Sequence, residues 1–138
     1  PNVMIDHAGN YLVVDWEFAA IGDPREDLGW YNIYSTAAGP NLYEADPEAF
    51  LAAYRAVTGF SEIEVNQLTV GYFTILSSMK VLGPINAQLD KFALGENSGA
   101  TTALQVGPIS FGHDNFINAI NGMQAAIDAM AQAQGATS

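Results

Sequence analysis

Two rhythms of apolar and polar positions divide the chain. Near its start the apolar runs are short and β-branched: Val3 to Ile5, then Tyr11 to Val14. They are joined by the turn-forming string Asp6-His7-Ala8-Gly9-Asn10, so together they predict a β-hairpin. A turn centred on Ala8-Gly9 sets Ile5 opposite Leu12, Val3 opposite Val14 and Asn2 opposite Asp15. A five-residue turn shifts that register by one and still leaves the Asn2 and Asp15 side chains at the same open end. Burial of the second strand is expected to aim Asp15.

Beyond Trp16 the spacing becomes helical. Asp23-Pro24 pairs an N-cap acid with proline at the first helical position, and Glu26 and Asp27 follow in the positive first turn. This helix is expected to reach about Ser35 and to bury Leu28, Tyr31 and parts of Trp30, Ile33 and Tyr34, with a loop over Ala37 to Ala45. Asp46-Pro47 repeats the start signal, Phe50, Leu51, Tyr54 and Val57 form the apolar stripe, and Gly59 is the stop. Ser61 and Glu64 make a capping box, with Phe60 and Val65 placed as a hydrophobic staple. Val65, Leu68, Tyr72, Ile75, Leu76, Met79 and Leu82 then recur at the helical period. Gly83-Pro84 is expected to kink or break that helix, and a second segment with Ile85, Leu89 and Phe92 runs to Gly95. Glu96 to Gly112 looks like a Gly-rich loop. Phe116, Ile117, Ile120, Met123, Ile127 and Met130 mark a last helix, with a tail that frays from Ala131.

The whole is mainly α with a small β-hairpin: one hairpin, then about five helices. At 138 residues and 49% hydrophobic it has enough apolar material for one core. It is read as a single partial domain, with a hairpin over 1–16, a helical lobe over 17–131 and a tail over 132–138. The chain opens on Pro1 and enters an apolar triplet at once, which reads as a cut through a longer protein.

Charge and cysteine content remove several function classes. Fifteen acids against 4 bases give a net charge of −11, so neither a nucleic-acid backbone nor an anionic membrane is an expected partner. Cysteine is absent, which excludes disulfides, thiolate metal sites and a cysteine nucleophile, and a cytoplasmic location is expected. No run approaches the roughly 18 uninterrupted apolar residues of a membrane span. His7 and His113 have no partner spacing for zinc and are expected at the surface. Trp16, Trp30 and the tyrosines are expected mostly in the core.

Asn2 and Asp15, side by side at the hairpin's open end, offer two hard oxygen ligands of the kind Mg²⁺ accepts while keeping waters and phosphate oxygens. The competing reading makes Asn2 a frayed terminus and Asp15 a turn-former bonded to nearby amides. Asn2, the hairpin, and then "VVDWEFAAIGDPREDLGW" together resemble the central part of the aminoglycoside phosphotransferase and choline kinase-like family. In that family an HGDxxxxN catalytic loop precedes a short hairpin, an apolar strand ending in D-W or a similar pair, and a G-D-P-x-x-D-L helix start. The match is specific over Asn2 to Trp30, and the rest is consistent with a helical C-terminal lobe of a protein-kinase-like α+β fold.

The resemblance implies that Asn2 is the catalytic-loop Asn on a metal and that Asp15 holds Mg²⁺ against the phosphates of ATP. Asp27 matches an Asp that braces the catalytic loop, although first-turn helix stabilisation calls for the same residue type. Asp23 reads as an N-cap, and Glu17 as a candidate second acid near the metal. The catalytic Asp of the HGD segment is expected upstream of Pro1, as is the nucleotide-binding N-terminal lobe with its phosphate-pairing Lys, so the chain carries no catalytic base of its own. The implied activity of the intact protein is transfer of the γ-phosphoryl of ATP to a hydroxyl of a small, cationic or polyhydroxylated acceptor. A non-catalytic kinase-like binding or scaffolding protein is the alternative.

Overall fold

The computed structural model describes residues 2–16, 19–38, 40–106 and 109–135. Strands β1 (Val3–Ile5) and β2 (Tyr11–Val13) form a two-stranded antiparallel sheet, followed by helices α1 (Glu26–Ala38), α2 (Leu42–Ala45), α3 (Pro47–Thr58), α4 (Gln67–Ala93), α5 (Gly99–Val106) and α6 (Ile109–Gly135). The mainly helical architecture with one hairpin is the expected one.

The hairpin takes the shifted register. Val3 pairs with Val13, Met4 with Leu12 and Ile5 with Tyr11. Asp6 causes this by closing a five-residue turn: its Oδ1 accepts from the Ala8 and Asn10 amides at 2.8 and 2.9 Å, its Oδ2 accepts from Asn10 Nδ2 at 2.9 Å, and Gly9 supplies φ +85°. Contrary to expectation, both strands are exposed along their whole length. Trp16 is also exposed, at 66%, rather than buried in the core.

α4 is the central helix, packed against α1 on one side and α6 on the other. By length and composition its 27 residues would suit a membrane span, and a third of that apolar window is buried inside the helical body. The α1 crossing is set by Gly29, where an added Cβ would lie 2.2 Å from the Phe73 carbonyl oxygen. At the α6 crossing a Cβ on Gly71 would meet Met123 Cγ at 3.0 Å. Close approach selects small groups, so the buried face of α4 includes Thr74, Ser77 and Ser78 beside Val70, Phe73 and Ile85. The stripe expected to be buried therefore sits to one side, with Tyr72 and Met79 more than half exposed. Among the described residues, Ser77 Oγ and Ser78 Oγ are buried without a hydrogen-bond partner.

A second cluster, Leu28, Leu51, Val65 and Val70, joins α1, α3 and the start of α4, with Tyr43, Phe50, Tyr54 and Phe60 packed around it. Val57, expected in it, is 88% exposed. The loop after α1 contains the short α2, capped by Asn41, and a polar chain ties it inward: Asn41 Nδ2 donates to Asn32 Oδ1 at 3.0 Å and Asn32 Nδ2 to Thr74 Oγ1 at 3.1 Å.

Three helix boundaries differ from the sequence reading. The Ser61–Glu64 capping box forms, but it closes one turn only, and α4 starts at a second box between Asn66 and Thr69. The Glu64 and Val65 carbonyls accept from Arg25 Nη1 (3.0 Å) and Arg55 Nη1 (2.9 Å). α4 also continues through Pro84. Proline inside a helix costs about 3 kcal/mol, but Gly83 has no Cβ to clash with the proline ring, and the packed flanks hold the helix in register. Finally, Gly95 (φ +77°) ends α4, and Ser98 starts α5 by accepting from the Thr101 amide, so the expected loop over Glu96 to Gly112 contains helix. α6 extends to Gly135, past Ala131.

Gly29→Ala is expected to destabilise the fold by at least the ~1–3 kcal/mol of an overpacked core, because the obstacle is backbone. Gly122→Ala in α6, where a Cβ meets nothing within 4 Å, is expected to gain about 0.5–1 kcal/mol. Urea midpoints of the two variants should move in opposite directions.

Candidate functional site

The open end of the hairpin is held by one hydrogen bond beyond the sheet, from the Val14 amide to the Asn2 carbonyl at 2.9 Å. The register shift thus sets Val14, not Asp15, across from Asn2, and Asp15 comes one residue later, outside the ladder. Asn2 and Asp15 are both exposed at this end, as expected.

Asp15 has a left-handed backbone, φ +66°, which among the described residues no other non-glycine shares. Asp tolerates this region better than most residues, yet the conformation is disfavoured without local support. That support comes from Trp16, whose indole Nε1 donates to the Val13 carbonyl at 2.9 Å, while its carbonyl accepts from the Ala19 amide at 2.9 Å. No hydrogen bond among the described residues engages the Asp15 carboxylate. Glu17 lies outside the described residues.

The donor chemistry at this end fits a hard divalent cation. An amide oxygen and a carboxylate supply two ligands and leave the remaining octahedral positions to water and phosphate. Among the described residues no group of three or more His, Asp or Glu gathers as a metal site.

Asp27 is not brought to Asn2 or Asp15. It is exposed in the first turn of α1, with no hydrogen-bonding partner for its carboxylate among the described residues. Asp23 caps the turn before α1, accepting from the Arg25 amide at 3.0 Å, and it forms an ion pair with the Arg25 guanidinium at 2.6 Å. His7 and His113 are exposed, as expected.

Sequence reasoning passed over Arg25. Besides Asp23 and the Glu64 carbonyl, its guanidinium lies 5.6 Å from the Phe60 ring centre and 5.7 Å from that of Phe73. Nothing in the D-P-R string signals a reach of that kind. Glu26 accepts from Lys80 Nζ and from Trp30 Nε1, the latter at 3.1 Å. The Arg25 guanidinium holds the Asp23 carboxyl below its usual range, aided by the Arg25 amide. The Lys80 ammonium does the same for Glu26, aided by the Trp30 indole and opposed by partial burial.

Two clefts open on the helical body, neither lined by Asn2 or Asp15. The larger, about 690 Å³, is bordered by Asp23, Arg25 and Glu26 together with Asn66, Tyr72 and Met123. The smaller, about 290 Å³, lies between α4 and α6 and is edged by Asn32, Gln67, Asn115, Asn118, Tyr43 and Glu44.

Residues 1–60 match the family model described as "phosphotransferase enzyme family" (APH). No curated protein and no solved structure matches the chain.

The ion pairs contribute to the acid limb of stability, alongside Asp6 and Glu64, whose carboxyls are also lowered by their hydrogen bonds to Asn10 and Ser61. Both ion-paired carboxyls titrate lower in the folded chain than their ordinary values of 3.8 for Asp23 and 4.5 for Glu26. The unfolded chain therefore binds more protons in that window, and the stabilisation is present above those values and lost as pH falls through the lower folded ones. The melting temperature should be level between pH 7 and 5 and fall below about 4.5, and Glu26→Gln should melt lower at pH 7 with a shallower acid limb. An acid limb unchanged by Glu26→Gln would contradict this assignment.

Proposed function

We propose, from the match of residues 1–60 to the phosphotransferase enzyme family model, that the chain is the helical lobe of an ATP-dependent small-molecule phosphotransferase. The intact protein moves the γ-phosphoryl of ATP to a substrate hydroxyl. The observation that supports this is the family match together with the placement of Asp15, exposed beyond the strand end at the same open end of the hairpin as Asn2.

In this reading Asn2 and Asp15 hold Mg²⁺, which when bound offsets the charge of the phosphates during transfer. Asp15 provides a full negative charge and Asn2 a neutral oxygen, so the pair orients the nucleotide's terminal phosphates without cancelling the cation. These residues contain no HGD segment, so the group that accepts the hydroxyl proton is assigned to the catalytic loop expected upstream of Pro1. Asp27, exposed one turn into α1, is then free to accept amides of that catalytic loop. The location assigned is the cytoplasm, where ATP is supplied.

The acceptor is assigned as cationic or polyhydroxylated, on the strength of the acid excess of the chain and the amide-edged cleft between α4 and α6. In the larger cleft Asp23 and Glu26 are already paired with Arg25 and Lys80, which favours hydroxyl recognition over charge recognition.

Asp15→Asn should weaken nucleotide-dependent Mg²⁺ binding of the intact protein by at least the ~10–100-fold typical of perturbed metal sites, with its circular dichroism unchanged. Equal Mg²⁺ affinity in that variant would remove the metal assignment. The 138-residue chain alone should not turn over ATP with any of a panel of hydroxyl acceptors, since positioning and charge stabilisation both need the complementary lobe. Metal-dependent turnover by the short chain at the rate of the intact protein would refute the division of labour. Phosphorylation of anionic acceptors only would refute the acceptor class.

A further inference from the structure

Trp16 is a large aromatic that does no packing work commensurate with its size: it is 66% exposed, on a segment next to a hairpin whose faces are themselves exposed. Among the described residues its side chain makes a 2.9 Å hydrogen bond, from the indole Nε1 to the Val13 carbonyl. That bond spans Val14 and Asp15. Upstream of Asp15, the Val14 amide is fixed to the Asn2 carbonyl, and downstream the Trp16 carbonyl is fixed by the Ala19 amide. The indole closes the loop between these two anchors, and within it Asp15 takes φ +66°. An aspartate left to itself would relax toward the extended or right-handed regions, turning its carboxylate in a different direction.

We propose that Trp16 is a positioning residue, whose indole N–H clamps the Val13 carbonyl, keeps Asp15 left-handed and so fixes the direction in which its carboxylate leaves the hairpin's open end. The proposal rests on the reading of Asn2 and Asp15 as a divalent-cation site. It assigns to Trp16 a donor function that bulk or aromaticity cannot replace: phenylalanine keeps a ring and loses the N–H, and it leaves the Val13 carbonyl to water.

The test is Mn²⁺ titration of the chain, read as paramagnetic broadening of backbone amide signals, which registers weak as well as tight binding. Wild type, Trp16→Phe, Asp15→Asn and the double variant are compared. In wild type, broadening should centre on Asn2 and Val14 to Trp16. Trp16→Phe should require about 10-fold more Mn²⁺ for the same broadening, the lower end of the range for groups that orient metal ligands, with helical circular dichroism and thermal melting unchanged. The double variant should be no weaker than Asp15→Asn, because the clamp acts only through that carboxylate. Wild-type affinity in Trp16→Phe together with impaired binding in Asp15→Asn would overturn the role of Trp16 and leave the cation site standing. Absence of localised broadening in wild type, or wild-type affinity in Asp15→Asn, would overturn the cation site and this inference together.

Discussion

The close approach of the α1 backbone at Gly29 to the α4 backbone at Phe73 governs what the rest of the helical body can be. With no side chain between them, the two helices meet main chain to main chain, and only small groups fit alongside. The buried face of α4 therefore carries hydroxyls where a wider crossing would take leucine. The same crossing joins residues 1–60, which match the phosphotransferase enzyme family, to the long helices that follow.

Cations reinforce that junction. The chain has 4 basic residues, and three of them join separate elements: Arg25 bonds the Glu64 carbonyl, Arg55 the Val65 carbonyl and Lys80 the Glu26 carboxylate. Guanidinium groups suit the first two positions because a planar fork can bond a carbonyl while lying over a ring, as Arg25 does with Phe60 and Phe73. With so few positive charges, most of the acids remain unmatched, and the surface stays strongly negative.

Features written in local chemistry were legible in the sequence. Asp46-Pro47 caps α3, Gly59 ends it with φ +79°, and Ser61 and Glu64 form their box. Leu28, Leu51 and Val65 are core, and Asn2 and Asp15 emerge at one end of a hairpin. The misses came from tertiary context. The rotation of α4 depends on Gly29 and Gly71, whose importance lies in another helix. The later start of α4 follows from carbonyls used by Arg25 and Arg55, residues far away in sequence. The hairpin register depended on how many hydrogen bonds Asp6 makes, and residue type alone left two answers open. At the site, the residue types were legible, but the left-handed Asp15 and its indole clamp were not, because periodicity does not report a backbone angle.

A hairpin whose two strands are exposed throughout shares almost no burial with the helices. Two-stranded sheets alone are marginal in water, so the hairpin forms a cooperative unit separate from the helical body, opening and closing on its own equilibrium. Substitutions in one unit should then add to those in the other with little coupling. The residues at the hairpin's open end can therefore change without risk to the helical core.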